Sequence, residues 1–197
     1  MNKQIAPRLG AASGIIFAVV LFAGSGHSSP GQVVRELAAV VIFLPFLAYL
    51  CSVLREAEGP GGWLTTTAFS AGLAGITIKL LTGMPVIALQ NVPSGTPLHR
   101  ALDDMSSAST IISLYPFAVM LGSIAVLIFR TNALPRSLAV GAAAAAAALA
   151  AAGVYGTFTS DLNLGPALMV WVLWTLIASI VLLRRTRSAA RNVAYST

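Results

Sequence analysis

Lys79 stands inside the apolar run Thr77-Ile78-Lys79-Leu80-Leu81, where an ammonium group must find a counter-charge, reach for headgroups, or line a wet cavity. Gly72, Gly75, Lys79 and Thr82 recur at helical spacing, so the lysine shares its face with small residues that suit a helix interface. A second polar stripe follows: Asp103, Ser106, Ser107, Thr110 and Ser113 fall on one side of a helix at about 100° per residue. Such a set can bind: a lysine and a carboxylate hold a charged group, and hydroxyls supply hydrogen bonds around it. Catalytic patterns are missing. The histidines, His27 and His99, are isolated, no HExxH or cysteine cluster occurs, and Ser13 is followed by no histidine within an apolar run. Paired histidines for haem and a glycine-rich phosphate loop are absent too, so neither a cofactor nor a metal is expected.

These residues must be positioned by membrane helices. Charged residues make up 9% of the chain and the mean hydropathy is +0.85, too little polar surface to coat a water-soluble globule. The apolar stretches Leu9–Gly24, Val34–Leu54, Trp63–Gly83, Ser107–Phe129, Leu138–Gly156 and Pro166–Leu183 predict an all-α bundle of six transmembrane helices in one domain over 1–197. The first of them also resembles a signal peptide, with Lys3 and Arg8 ahead of it and Ala23-Gly24-Ser25 behind. Glu58-Gly59-Pro60-Gly61-Gly62 and Ala133-Leu134-Pro135 read as turns, and Gly83-Met84-Pro85 as a stop or kink. Thr96-Pro97 reads as an N-cap with proline in the first turn, starting a helix whose first turns project beyond the bilayer with Asp103 and Asp104.

Height along the helices selects the partner for Lys79. Counted from Trp63 the lysine stands about 24 Å up a core of about 30 Å, and Glu36, counted from Arg55, about 28 Å up. Asp103, counted from Arg130, stands about 10 Å outside the hydrocarbon. Two outcomes are open for Lys79: snorkelling to the headgroups, or pairing with Glu36 in a polar vestibule. Tyr115-Pro116 would mark the vestibule floor, and His27, His99, Arg100 and Asp161 its rim.

The basic residues orient the bundle. Lys3, Arg8, Arg55, Arg130, Arg136 and the arginines from Arg184 to Arg191 share one side; Arg35 and Arg100 fall on the other, which predicts both termini in the cytoplasm. The net charge of +6 and pI near 10.3 express this topology and attraction to anionic lipid, not nucleic-acid binding, because the bases are dispersed over short loops. Cys51 is the single cysteine, so no internal disulfide forms.

The run from Gly141 to Gly153 is almost pure alanine, a surface on which another helix can approach closely. Gly72, Gly75, Gly141 and Gly153 are accordingly the expected helix-packing positions. The segment Ile128-Phe129-Arg130-Thr131-Asn132-Ala133-Leu134-Pro135-Arg136-Ser137-Leu138, with Gly153-Val154-Tyr155 later, resembles a family of uncharacterised bacterial multi-helix membrane proteins that share an Arg-to-Leu-Pro-Arg turn. Asn132 departs from that pattern, where small residues are usual before the Leu-Pro. The resemblance implies a multi-pass protein of a bacterial inner membrane and transfers no activity.

Three function classes follow. The leading one is a non-enzymatic membrane protein that binds or passes a small or amphipathic ligand through an outward-facing pocket, with Glu36, Lys79, Asp103, Ser106, Thr110 and Ser113 as its polar groups. The second is a scaffold subunit or homo-oligomer that packs through the alanine-rich fifth helix. The third is an enzyme acting on lipid, with His99 and Asp103 as acid and base. Membrane lipid is the partner common to all.

Overall fold

The computed structural model describes residues 5–22, 30–159 and 165–194, and 90% of these described residues are helical, with no strand among them. The helices are α1 (Ile5–Phe22), α2 (Pro30–Glu58), α3 (Trp63–Leu81), α4 (Gly83–Leu89), α5 (Pro97–Thr131), α6 (Arg136–Phe158) and α7 (Gly165–Ala194). Five of them are long and apolar enough to cross a membrane, and the apolar part of α1, Ala6–Phe22, is shorter. Val41, Val119, Val126, Leu173 and Ile177 face outward, exposed, as lipid-facing residues do. The all-α bundle is therefore consistent with a multi-pass integral membrane protein.

Local sequence sets the helix ends. Thr96 accepts the backbone N–H of His99 at 3.2 Å and Pro97 opens α5, so the expected N-cap forms. α5 runs 35 residues, about 52 Å, and so extends well past a core of about 30 Å. Between α3 and α4 the helical path breaks at Thr82, because Pro85 has no N–H to continue the ladder. Asn132 takes the left-handed conformation (φ 51°) and its N–H closes α5 on the Ile128 carbonyl at 2.9 Å. Asparagine suits that position, since it tolerates the left-handed region best after glycine. The Asn132 side chain also accepts from Arg136 Nε at 3.2 Å, tying the turn to the first residue of α6.

The helices close a ring. α1 packs on α2 and α7, α2 on α3, α3 on α5, α5 on α6, and α6 on α7, while α2 touches α5 across the middle. Phe43, Phe46, Leu47, Leu50, Met120, Leu121 and Ile124 fill the centre. Small residues let the backbones approach. A Cβ on Gly72 would stand 2.5 Å from Leu47 Cδ2 and 2.9 Å from Met120 Sδ, and one on Gly75 2.9 Å from the Phe117 ring. On α6, Gly141 makes room for Trp174 and Gly153 for Tyr115, with corresponding distances of 3.0 and 3.2 Å. Trp174 Nε1 then donates to the Leu138 carbonyl at 2.9 Å, and the Tyr115 hydroxyl meets Thr157 Oγ1 at 3.1 Å.

At the end of the bundle opposite α4, Arg185 Nη1 donates to the Ala133 carbonyl at 2.9 Å, drawing the end of α7 against the α5–α6 turn. Here Glu58, beyond Leu54 where the apolar part of α2 ends, caps the next helix. Its carboxylate accepts the N–H groups of Leu64 at 3.1 Å and Thr65 at 3.0 Å, and the Thr65 hydroxyl. Desolvation acts to raise its pKa, but these hydrogen bonds and the nearby charge of Arg130 outweigh it and hold the carboxyl below its usual value.

Candidate functional site

Lys79, in the last turn of α3, meets Glu36, in the second turn of α2. Their Nζ and Oε2 atoms are 3.6 Å apart, and Nζ also donates to Thr110 Oγ1 of α5 at 3.5 Å. Lys79 is thus held inside the bundle between two neighbouring helices. The pair is not dry: the side chains are 23% and 41% exposed. Both contacts are longer than the roughly 2.7–2.9 Å of a strong charge-assisted bond.

These three side chains border a cavity of about 360 Å³ inside the helix ring. Arg35 and Glu36 of α2, Lys79 of α3, and Thr110 and Ser113 of α5 form its polar side. Ser113 is 2% exposed and its hydroxyl donates to the Thr110 carbonyl at 2.7 Å, leaving the oxygen lone pairs as acceptors. The remaining wall is apolar, with Val20 and Leu21 of α1, Val40 of α2, Leu114 of α5 and Leu168 of α7.

Phe17, Phe117 and Trp171 bound the cavity from three helices. The Trp171 ring centroid lies 4.6 Å from Phe117 and 5.5 Å from Phe17 and Phe43, a cluster of tilted and edge-on contacts. Trp171 Nε1 is buried without a hydrogen-bond partner, an unused donor on a residue that lines the cavity. Phe46, Leu47, Leu50 and Met120 continue the packing toward the arginine-rich end, and all four are fully buried. The cavity therefore has one polar side and one apolar side, and these buried side chains fill the bundle next to it.

The expected site residues divide by height. Glu36, Lys79, Thr110 and Ser113 come together. Ser106, half-buried, and Asp103, exposed, share the same stripe of α5 but lie one and two turns further out, where α4 packs, and do not border the cavity. His99 is half-buried and Arg100 exposed, both also outside the lining, while His27 and Asp161 fall outside the described residues. The floor expected at Tyr115-Pro116 lies at the neighbouring Phe117.

Two features lie beyond the expected site residues: the aromatic floor and the close packing of α1. The floor is spread over three helices, so no local spacing reveals it. α1 did carry a signal: Gly10 and Gly14 are four apart, the spacing at which membrane helices approach closely. A Cβ on Gly10 would come within 2.6 Å of Tyr49 Cβ, and one on Gly14 would collide with Ser179 Oγ and the Phe46 ring. Ser13, buried beside them, donates to the Gly10 carbonyl at 2.8 Å and so is committed to its own helix. Cys51 is a buried free thiol, and no group of three metal-ligating side chains occurs among the described residues.

No family model matches the chain, and neither a curated protein nor a solved structure matches it.

Proposed function

We propose that this chain is a six-span protein of a bacterial inner membrane, both termini cytoplasmic, that binds a small amphipathic ligand in the cavity between α1, α2, α3, α5 and α7. One observation carries the reading: a cavity of about 360 Å³ sets the Lys79–Glu36 pair and Thr110 against an aromatic floor of Phe17, Phe117 and Trp171. A polar side facing an apolar one suits a molecule with a head and a tail. Binding is favoured over passage because buried side chains fill the bundle next to the cavity. Orientation rests on the arginines at the ends of α2, α5 and α7, and the bacterial inner membrane on the resemblance carried by the Leu-Pro-Arg turn.

Mass spectrometry of an extract of the purified protein tests this. Wild-type protein is expected to carry a bound small molecule, and Val20→Trp, which fills the cavity from its half-buried wall, to lose it. An empty wild type, or equal occupancy in the variant, would sink the proposal.

The scaffold reading draws on α6, whose outer face exposes Ala143, Ala144, Ala147 and Ala151. A second helix, from a partner or another copy, could approach that face closely.

A further inference from the structure

Trp171 and Trp174 are both buried on α7, one turn apart, and differ in what their indoles do. Trp174 Nε1 donates to the Leu138 carbonyl at 2.9 Å, whereas Trp171 Nε1 has no partner. The buried hydroxyls of Ser13, Ser113, Thr175 and Ser179 are all satisfied, each donating to a carbonyl of its own helix. A buried N–H without a partner gives up its hydration for nothing, so such an atom in a packed interior calls for a reason. Building on the ligand-binding reading above, we infer that Trp171 determines the specificity of the cavity: its indole N–H donates to a carbonyl oxygen in the apolar part of the ligand. The part of the ligand that rests on the aromatic floor is then an acyl ester or a ring ketone, not plain hydrocarbon.

The surroundings of the indole select the acceptor. Phe17, Phe43 and Phe117 pack against it with ring centroids 5.5, 5.5 and 4.6 Å away. Their side chains offer an N–H ring faces alone, a much weaker acceptor than an oxygen. A hydroxyl or an amide placed there would bring a donor of its own, for which these rings hold no partner. An ionised group would lose its hydration among them at still greater cost. A carbonyl accepts without donating, so one bond satisfies both sides. The nitrogen is covered, and the oxygen reaches it as the wall adjusts. Leu21 and Leu168 line the same cavity, are half-buried, and have rotamers through which to move. A volume of about 360 Å³ is at the lower end of ligand pockets, which suits one acyl chain or one ring system.

Two matched pairs of probes test this: a long-chain methyl ester against the alkane of equal length, and an alkylated naphthoquinone against the matching alkylnaphthalene. Each is added to the full-length protein, isotope-labelled at tryptophan, valine and leucine, in neutral-detergent micelles. NMR then reads the indole N–H signals of Trp63, Trp171 and Trp174, and the methyl signals of Val20 and Leu21 report occupancy of the cavity. Trp171→Phe assigns the Trp171 signal; if that variant does not fold, Trp63→Phe and Trp174→Phe assign it by elimination. The Trp171 N–H should move downfield with the ester or the quinone and stay in place with its hydrocarbon counterpart. A response to the ester supports an acyl lipid as the source, a response to the quinone a ring carbonyl, and a response to both a carbonyl of either kind. Trp171→Phe, which keeps an aromatic ring, should cut the advantage of the responding probe over its hydrocarbon partner about fivefold, the scale of one neutral hydrogen bond. If the methyl signals respond while the Trp171 N–H stays in place, or moves equally with carbonyl and hydrocarbon, the carbonyl inference is overturned and ligand binding stands. If no probe moves the methyl signals, ligand binding itself is overturned.

Discussion

Lys79 is the residue whose removal separates a structural role from a binding one. Had its ion pair been dry, losing one partner would cost about 3–5 kcal/mol, because the other charge stays buried. The observed pair is long, at 3.6 Å, and its members are 23% and 41% exposed, which places it near the range for exposed pairs, about 0.2–1 kcal/mol. Lys79→Met should therefore lower thermal stability in detergent only slightly, and Lys79→Met with Glu36→Gln no further. A loss of several kcal/mol would mean that the pair is structural. Glu58 gives the opposite kind of test. Its folded pKa is depressed, so its contribution is present above the ordinary glutamate value and is lost as pH falls through the lowered one. Glu58→Gln should weaken the start of α3 at neutral pH and remove that part of the acid dependence, as melting followed over a pH series would show. The Lys79–Glu36 pair was legible in the sequence because each residue's height follows from rise per residue alone. The same count placed Asp103 outside the hydrocarbon, and the structure leaves both it and Ser106 above the cavity. The aromatic floor was illegible, since Phe17, Phe117 and Trp171 come together only through the ring order of the helices.

At the scale of elements, α6 shows what an alanine surface is for. Leu138, Ala142, Ala145, Leu149, Gly153 and Gly156 form its buried stripe, while Ala143 and Ala147 are exposed. Ala145 is fully buried and Ala148 and Ala152 are half-buried against the core, so the packed side centres on Ala142, Ala145 and Leu149. The alanine run does not reveal which side that is, because a helix of one residue type has no side to read. Ala142→Leu and Ala145→Leu should each cost about 1–3 kcal/mol through overpacking. Ala143→Leu and Ala147→Leu should leave melting unchanged if they face lipid, and would disturb oligomeric state if a partner helix packs there. The helix ends were clearer, because Thr96-Pro97, Glu58-Gly59-Pro60 and Leu134-Pro135 carry their own backbone chemistry.

For the whole molecule, the ring of helices with a dry centre and an apolar exterior is a bundle built for a membrane, and its orientation is open to direct test. Single cysteines at Glu58 and Thr131 should react only from the cytoplasmic face, and those at Asn91 and Asp161 only from the outer face. The native Cys51 is buried and should stay silent. Reaction of Asp161→Cys from the cytoplasmic side would contradict the six-span topology. Within that frame the central claim is that the cavity holds a ligand with a head and a tail. An experimental density map of protein purified in neutral detergent tests it most directly. The account predicts elongated density running from Lys79 and Thr110 to the face of Trp171; a cavity that is empty, filled by its own side chains, or holding only water would contradict it.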